Sequence, residues 1–194
     1  MEQGSRIEIR TGAIFVSALA LVLLPLSLFL SFLIAGAFHE LCHWWLLRMT
    51  GVKIYRISIG AFGASMETEP MEPWREVLCA VAGPVGSCLL AACYRFIPQT
   101  ALCALIQGCF NLLPIYPLDG GRVLKGLLEI LKIPGRKVIC SVVQILSILI
   151  IGAICLYGCR EWNLGYGVLF LGVLPVLRTF PRKTPCKEGV FGVQ

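Results

Sequence analysis

Charge is what this sequence has least of. Asp, Glu, Lys and Arg make up 14% of its 194 residues, against about a quarter in a soluble domain. Apolar residues make up 57%, and the mean hydropathy is +0.82. A soluble chain this short cannot hide so much apolar surface from water. Composition therefore excludes a soluble enzyme, a disordered chain and a nucleic-acid binder, and implies an integral membrane protein. Other absences narrow the reading. No CxxC pair occurs among the ten cysteines. Cys79, Cys88, Cys93, Cys103, Cys109, Cys140 and Cys155 sit inside apolar runs and read as small packing residues with free thiols. No small-residue cleavage site precedes the first apolar stretch, which runs far past any signal-peptide core. No repeat or low-complexity tract stands out.

The apolar segments run over about 12–47, 77–94, 99–118, 138–158 and 163–177. A span needs about 20 residues. The first segment is too long for one helix, and Pro25 near its middle marks a break, giving spans 12–25 and 27–47. Six crossings then place 15 of the 17 basic residues on one side, with only Arg95 and Arg160 opposite. Basic loops stay cytoplasmic, so both termini are expected there. The net charge of +6 then faces anionic lipid. A re-entrant first segment would fit the charges equally well. The β-branched stretch 52–69, with Gly60 and Gly63, reads as a β hairpin. After Gly121, the apolar face of 122–132 reads as a short interfacial helix. The basic tail 179–194 follows the last span.

The second span ends in His39-Glu40-Leu41-Cys42-His43. On a helix, positions i and i+4 share a face, so both imidazoles can reach one ion, and the Glu between them can polarise its water. Catalytic zinc wants a third protein ligand, and no third histidine exists. The single aspartate, Asp119, closes the fourth span, which crosses back toward the face where His39 and His43 lie. Glu67, Glu69, Glu72 and Glu76 are the competing third ligands. Pro114 and Pro117 each remove an N–H and are expected to free carbonyls near Phe110 and Leu113, tolerable at membrane depth only beside protein or a wet cavity. Asn111 is either an oxyanion donor or interhelical glue. The small residues around Gly83 and Pro84 read as helix packing rather than chemistry.

His39-Glu-Leu-Cys-His43, then Ala82-Gly83-Pro84, then Asn111-Leu-Leu-Pro114-Ile-Tyr-Pro117-Leu-Asp119-Gly120-Gly121 resemble the ordered motifs of the site-2 protease family of intramembrane zinc metalloproteases. The resemblance covers about residues 38–122. It implies Zn²⁺ held by His39, His43 and Asp119, with Glu40 as catalytic base and Asn111 as a substrate contact. Gly83, Pro84, Pro114, Pro117, Gly120 and Gly121 become structural neighbours of the site. The expected fold is an all-α multi-pass membrane domain over 1–178, with about six transmembrane helices and the small hairpin, whose edge is expected to pair with an unwound substrate. The implied activity is an intramembrane zinc endopeptidase acting on a membrane-embedded or membrane-associated protein near the cytoplasmic side, with a membrane-protein regulator. The alternative is a catalytically silent zinc-binding scaffold, against which the intact Glu40 argues. No PDZ domain interrupts the chain and no CBS domain follows the sixth span. The core is most similar to the stage IV sporulation protein FB branch, which cleaves a membrane-associated sigma-factor precursor, and this implies a bacterial cell membrane.

Overall fold

The computed structural model of the chain describes residues 6–60 and 63–161. Strand β1 (Arg6–Ile9) leads into helix α1 (Thr11–Leu23), which Pro25 separates from α2 (Leu26–Met49). Strands β2 (Ile54–Gly60) and β3 (Gly63–Thr68) follow, then α3 (Pro73–Ala92) and a 3-10 turn at Cys93–Arg95. Helices α4 (Pro98–Asn111), α5 (Asp119–Ile130) and α6 (Arg136–Glu161) complete the described chain. Proline punctuates this order. Pro73 and Pro98 open α3 and α4, where the missing N–H would have no helical partner anyway. Helix α2 stops at Gly51, whose φ is +71°, while the Val52 N–H returns to the Leu47 carbonyl at 3.1 Å.

The packing is inverted relative to a soluble protein. Ala35, Ala80 and Ala104 are fully buried, while Phe15, Val22 and Leu89 are 71%, 81% and 63% exposed. Lipid removes the penalty for exposed aliphatics, so helices associate through small residues that let their backbones approach. Gly86 of α3 lies against Cys42 of α2, and a Cβ on Gly108 of α4 would stand 2.8 Å from the Ser87 Cβ of α3. Among the described residues, three helical stretches, Leu26–Met49, Pro73–Arg95 and Arg136–Ile154, are long and apolar enough to cross a membrane.

The expected segments differ from these elements in physically readable ways. The break at Pro25 is present, but α1 has 13 residues, short of the roughly 20 a perpendicular span needs. The fourth segment is not one helix over 99–118. Helix α4 ends at Asn111 after 14 residues, because Pro114 and Pro117 cannot continue it. Residues 112–118 form a turn with a cis Tyr116–Pro117 bond. The carbonyls expected to be freed are occupied: the Leu113 N–H donates to the Phe110 carbonyl (3.2 Å), and the Ile115 N–H to that of Leu113 (2.7 Å). The amphipathic helix begins at Asp119, three residues before its expected start, so the aspartate opens α5 rather than closing α4. The sixth segment at 163–177 and the tail at 179–194 lie outside the described residues.

The hairpin is present, with Ile57 opposite Met66 and Ser58 opposite Ser65. It is part of a three-stranded sheet. β1 pairs in parallel on the other side of β2, with Ile7 opposite Ile57 and Ile9 opposite Ile59. The alternation Arg6-Ile7-Glu8-Ile9 carried that signal. β2 is therefore central, and among the described residues the hairpin's open edge belongs to β3.

The turn at 112–118 folds back over the first turn of α5. A Cβ on Gly120 would run into the Leu112 backbone and come within 2.6 Å of the Leu113 carbonyl oxygen. A backbone cannot yield as a flexible side chain can. Gly120→Ala is therefore expected to lower stability by about 1–3 kcal/mol, the usual cost of overpacking. Unfolding of the detergent-solubilised protein checks this, and a wild-type transition would contradict the packing described.

Candidate metal centre

Four helices contribute to one point. His39 and His43 lie on one face of α2, Asp119 at the N-terminus of α5, Ser87 and the Cys79 carbonyl on α3, and Asn111 at the end of α4. His39, His43, Asp119 and Ser87 are all buried. His39 Nε2 lies 3.1 Å from Asp119 Oδ2, His43 Nε2 lies 3.2 Å from the same oxygen, and the two Nε2 atoms are 3.2 Å apart. The three atoms make a nearly equilateral triangle.

The chemistry of this triangle favours a cation. The Cys79 carbonyl can only accept, so His43 Nδ1, 2.6 Å away, donates to it. In the neutral ring that leaves the lone pair on Nε2, facing the carboxylate and the other imidazole. Ser87 Oγ, 2.9 Å from His39 Nδ1, is placed to accept from it and fix the matching tautomer. Burial would raise the Asp119 carboxyl, and only N–H donation and positive charge from the facing imidazoles hold it down at about 2, so an anionic Asp119 needs a positive partner in the triangle, either a protonated ring or a metal ion. Two lone pairs and an anion converging without a positive centre would repel. Three ligands about 2.0–2.1 Å from a tetrahedral ion stand about 3.4 Å apart, close to the observed edges. His39, His43 and Asp119 thus fit a metal ion, and they are a donor cluster among the described residues.

Glycine keeps the point open. A Cβ on Gly83 would lie 2.6 Å from His39 Nε2 and closer still to His43 Nε2. Gly83 packs α3 against α2, and the surface it meets is the donor triangle itself. Pro84 is buried beside it. Asn111 Nδ2 stands 3.1 Å from His39 Nε2, which places it at the site. Glu40 is half-buried and, at about 100° per residue, lies about 60° around α2 from His43. The competing glutamates are engaged elsewhere. Glu67 pairs with Arg56, Glu69 accepts from the Lys53 N–H, Glu72 meets Trp74 and Arg75, and Glu76 meets Arg122 and Lys125. Two neighbours were missed from sequence. Ser87 stands one helical turn after Gly83 on the same face, a spacing that could have revealed it. The Cys79 carbonyl is backbone and leaves no trace in residue identity.

The profile described as Peptidase family M50 matches residues 91–154, which include Asn111 and Asp119 but not the histidine pair. The chain is 30% identical over 118 residues to "Zinc metalloprotease MJ0392" of Methanocaldococcus jannaschii, an alignment covering 53% of this chain and 34% of that protein. The chain thus spans about a third of that relative's length. Its fold is similar to that of a solved structure, "Site-2 Protease from Methanocaldococcus jannaschii", with a TM-score of 0.58 and 22% identity over 91% of this chain and 87% of that one.

Replacing Gly83 by Ala puts a methyl group among the donor atoms. Elemental analysis of the purified protein should show its metal content falling below about a tenth of wild type, as for His39→Ala, His43→Ala and Asp119→Ala. Full occupancy in Asp119→Ala would place the third ligand elsewhere.

Proposed function

We propose that this chain is a zinc metalloprotease of the site-2 protease type, cutting membrane protein substrates within or beside the bilayer. The observation that carries the proposal is the equilateral triangle of His39 Nε2, His43 Nε2 and Asp119 Oδ2, buried between helices fit to cross a membrane. The likeness to zinc metalloproteases and to a solved site-2 protease supports it.

In this reading His39, His43 and Asp119 hold Zn²⁺. When bound, the ion supplies an acidified water and an electrophile for the peptide carbonyl. Glu40 accepts a proton from the attacking water on its carboxylate and returns it to the departing amine. Asn111 Nδ2 donates to the carbonyl oxygen as negative charge develops there. Ser87 and the Cys79 carbonyl hold both imidazoles with Nε2 inward, so the donors need no reorganisation. The open edge of β3 offers hydrogen-bond partners to a substrate helix that has unwound, where unpaired backbone groups are costly. The substrate class of this proposal is a membrane-tethered regulator, such as a sigma-factor precursor. A silent zinc scaffold would have no use for Glu40.

Glu40→Gln removes the base and no ligand. It should keep its zinc and lose peptidase activity by at least about 10²-fold, read by co-expression with a membrane-tethered transcription factor and analysis of the fragments. Turnover near wild type would overturn the role of Glu40.

The basic residues further suggest that both termini and the site end of α2 face the cytoplasm. Reporter fusions after Arg56 and Arg136 should read internal, and a fusion after Arg95 external. An external reading at Arg56 would invert this placement.

A further inference from the structure

Asp119 uses its two oxygens differently. Oδ2 faces both imidazoles, while Oδ1 faces Arg122 Nη1 at 4.0 Å, one turn along α5. Arg122 Nε also lies 3.9 Å from Glu76 Oε1 on α3, and Lys125 Nζ lies 3.8 Å from Glu76 Oε2. Glu76, Arg122 and Asp119 thus form a charge relay running from the face of α3 to the metal centre. Arg122 is about one-third exposed and Lys125 half exposed.

Two roles are open to this relay, and magnitudes separate them. It could fasten α5 to α3. But that seat is already set sterically: a Cβ on Gly126 of α5 would lie 2.5 Å from Val77 Cγ2 and 3.2 Å from the Pro73 carbonyl oxygen of α3. Partly exposed ion pairs add only about 0–1 kcal/mol to stability. Partners that orient a metal ligand matter far more to the metal, and their loss typically costs 10–100-fold in affinity. The partly exposed contacts of Arg122, at 3.9 and 4.0 Å, are weak as fasteners. They are well placed to hold one oxygen of a buried carboxylate away from the donor triangle so that the other alone enters it.

We propose that Arg122, itself oriented by Glu76, is a positioning residue that fixes the Asp119 carboxylate for metal binding through Oδ2. The inference rests on the reading of His39, His43 and Asp119 as zinc ligands. Removing the guanidinium lets the carboxylate turn without a counter-charge, and the metal centre loosens while the helices stay packed. Lys125 shares Glu76 but does not reach Asp119, so it reports whatever the α3–α5 ion pairs contribute without the carboxylate contact.

The test is zinc competition against a chromophoric chelator, using the full chain purified in detergent. Arg122→Gln should raise the zinc dissociation constant about 10–100-fold. Arg122→Lys should recover part of the loss, and Lys125→Gln should stay within about twofold of wild type. Glu76→Gln combined with Arg122→Gln should be no worse than Arg122→Gln alone, because both act through one path. Unfolding of the zinc-free Arg122→Gln protein should match wild type, which a purely structural role would not allow. Wild-type zinc affinity in Arg122→Gln, or an equal loss in Lys125→Gln, would overturn the inference. If wild type itself bound no zinc, the ligand assignment beneath it would fall instead.

Discussion

Two imidazole nitrogens and a carboxylate oxygen brought within 3.2 Å of one another inside a helix bundle need a positive charge among them, and their spacing fits a bound metal ion. Much of the surrounding structure serves that convergence. Helix α2 supplies two donors from one face because four residues nearly complete a turn. Helix α3 contributes almost no side-chain bulk there: Gly83 removes it, and the Cys79 carbonyl and Ser87 set the rings. Helix α4 ends at the site, with Asn111 beside His39, so that the chain can turn and present Asp119 from a new helix, and Pro114 and Pro117 ensure that end. Gly120 and Gly121 then let the turn and the new helix occupy nearly the same space.

The bilayer explains why such a bundle holds together. Many of its large aliphatic side chains point outward, and its closest helix seams are lined by alanine, glycine, serine and cysteine, with Leu47, Ile115, Leu118 and Leu128 among the few large aliphatics buried. Close backbone approach replaces the hydrophobic effect as the cohesive principle. It also explains the tightness of the site, since Gly83 lets the α3 backbone approach the two imidazoles directly. Any side chain at Gly83 would have to occupy the donor triangle.

Much of the site was legible in the sequence because its chemistry is carried by rare residues. With two histidines and one aspartate in the whole chain, the donor set had few competitors, and the structure brings those three together. The i, i+4 spacing of His39 and His43 and the hairpin at 52–69 were legible for the same reason, a local periodicity. What hydropathy misread was continuity. Residues 112–118 are apolar enough to extend a span, yet two prolines three positions apart turn them into a loop, and Asp119 moves from the end of one helix to the start of the next. The strand Arg6–Ile9 is too short to stand out beside the long apolar run that follows it, and its partner lies some fifty residues away. Ser87 and the Cys79 carbonyl gain meaning only from neighbours that the fold supplies.

The central claim is that one zinc ion is held by two imidazoles and a carboxylate, with sulfur excluded although Cys42 adjoins His43 in the chain and the Cys79 carbonyl meets the His43 ring. X-ray absorption at the zinc edge of the purified protein tests it most directly. The account predicts one zinc per chain with only nitrogen and oxygen neighbours at about 2.0–2.2 Å and the scattering pattern of two imidazoles. A sulfur shell at about 2.3 Å, or protein that retains no zinc, would contradict it.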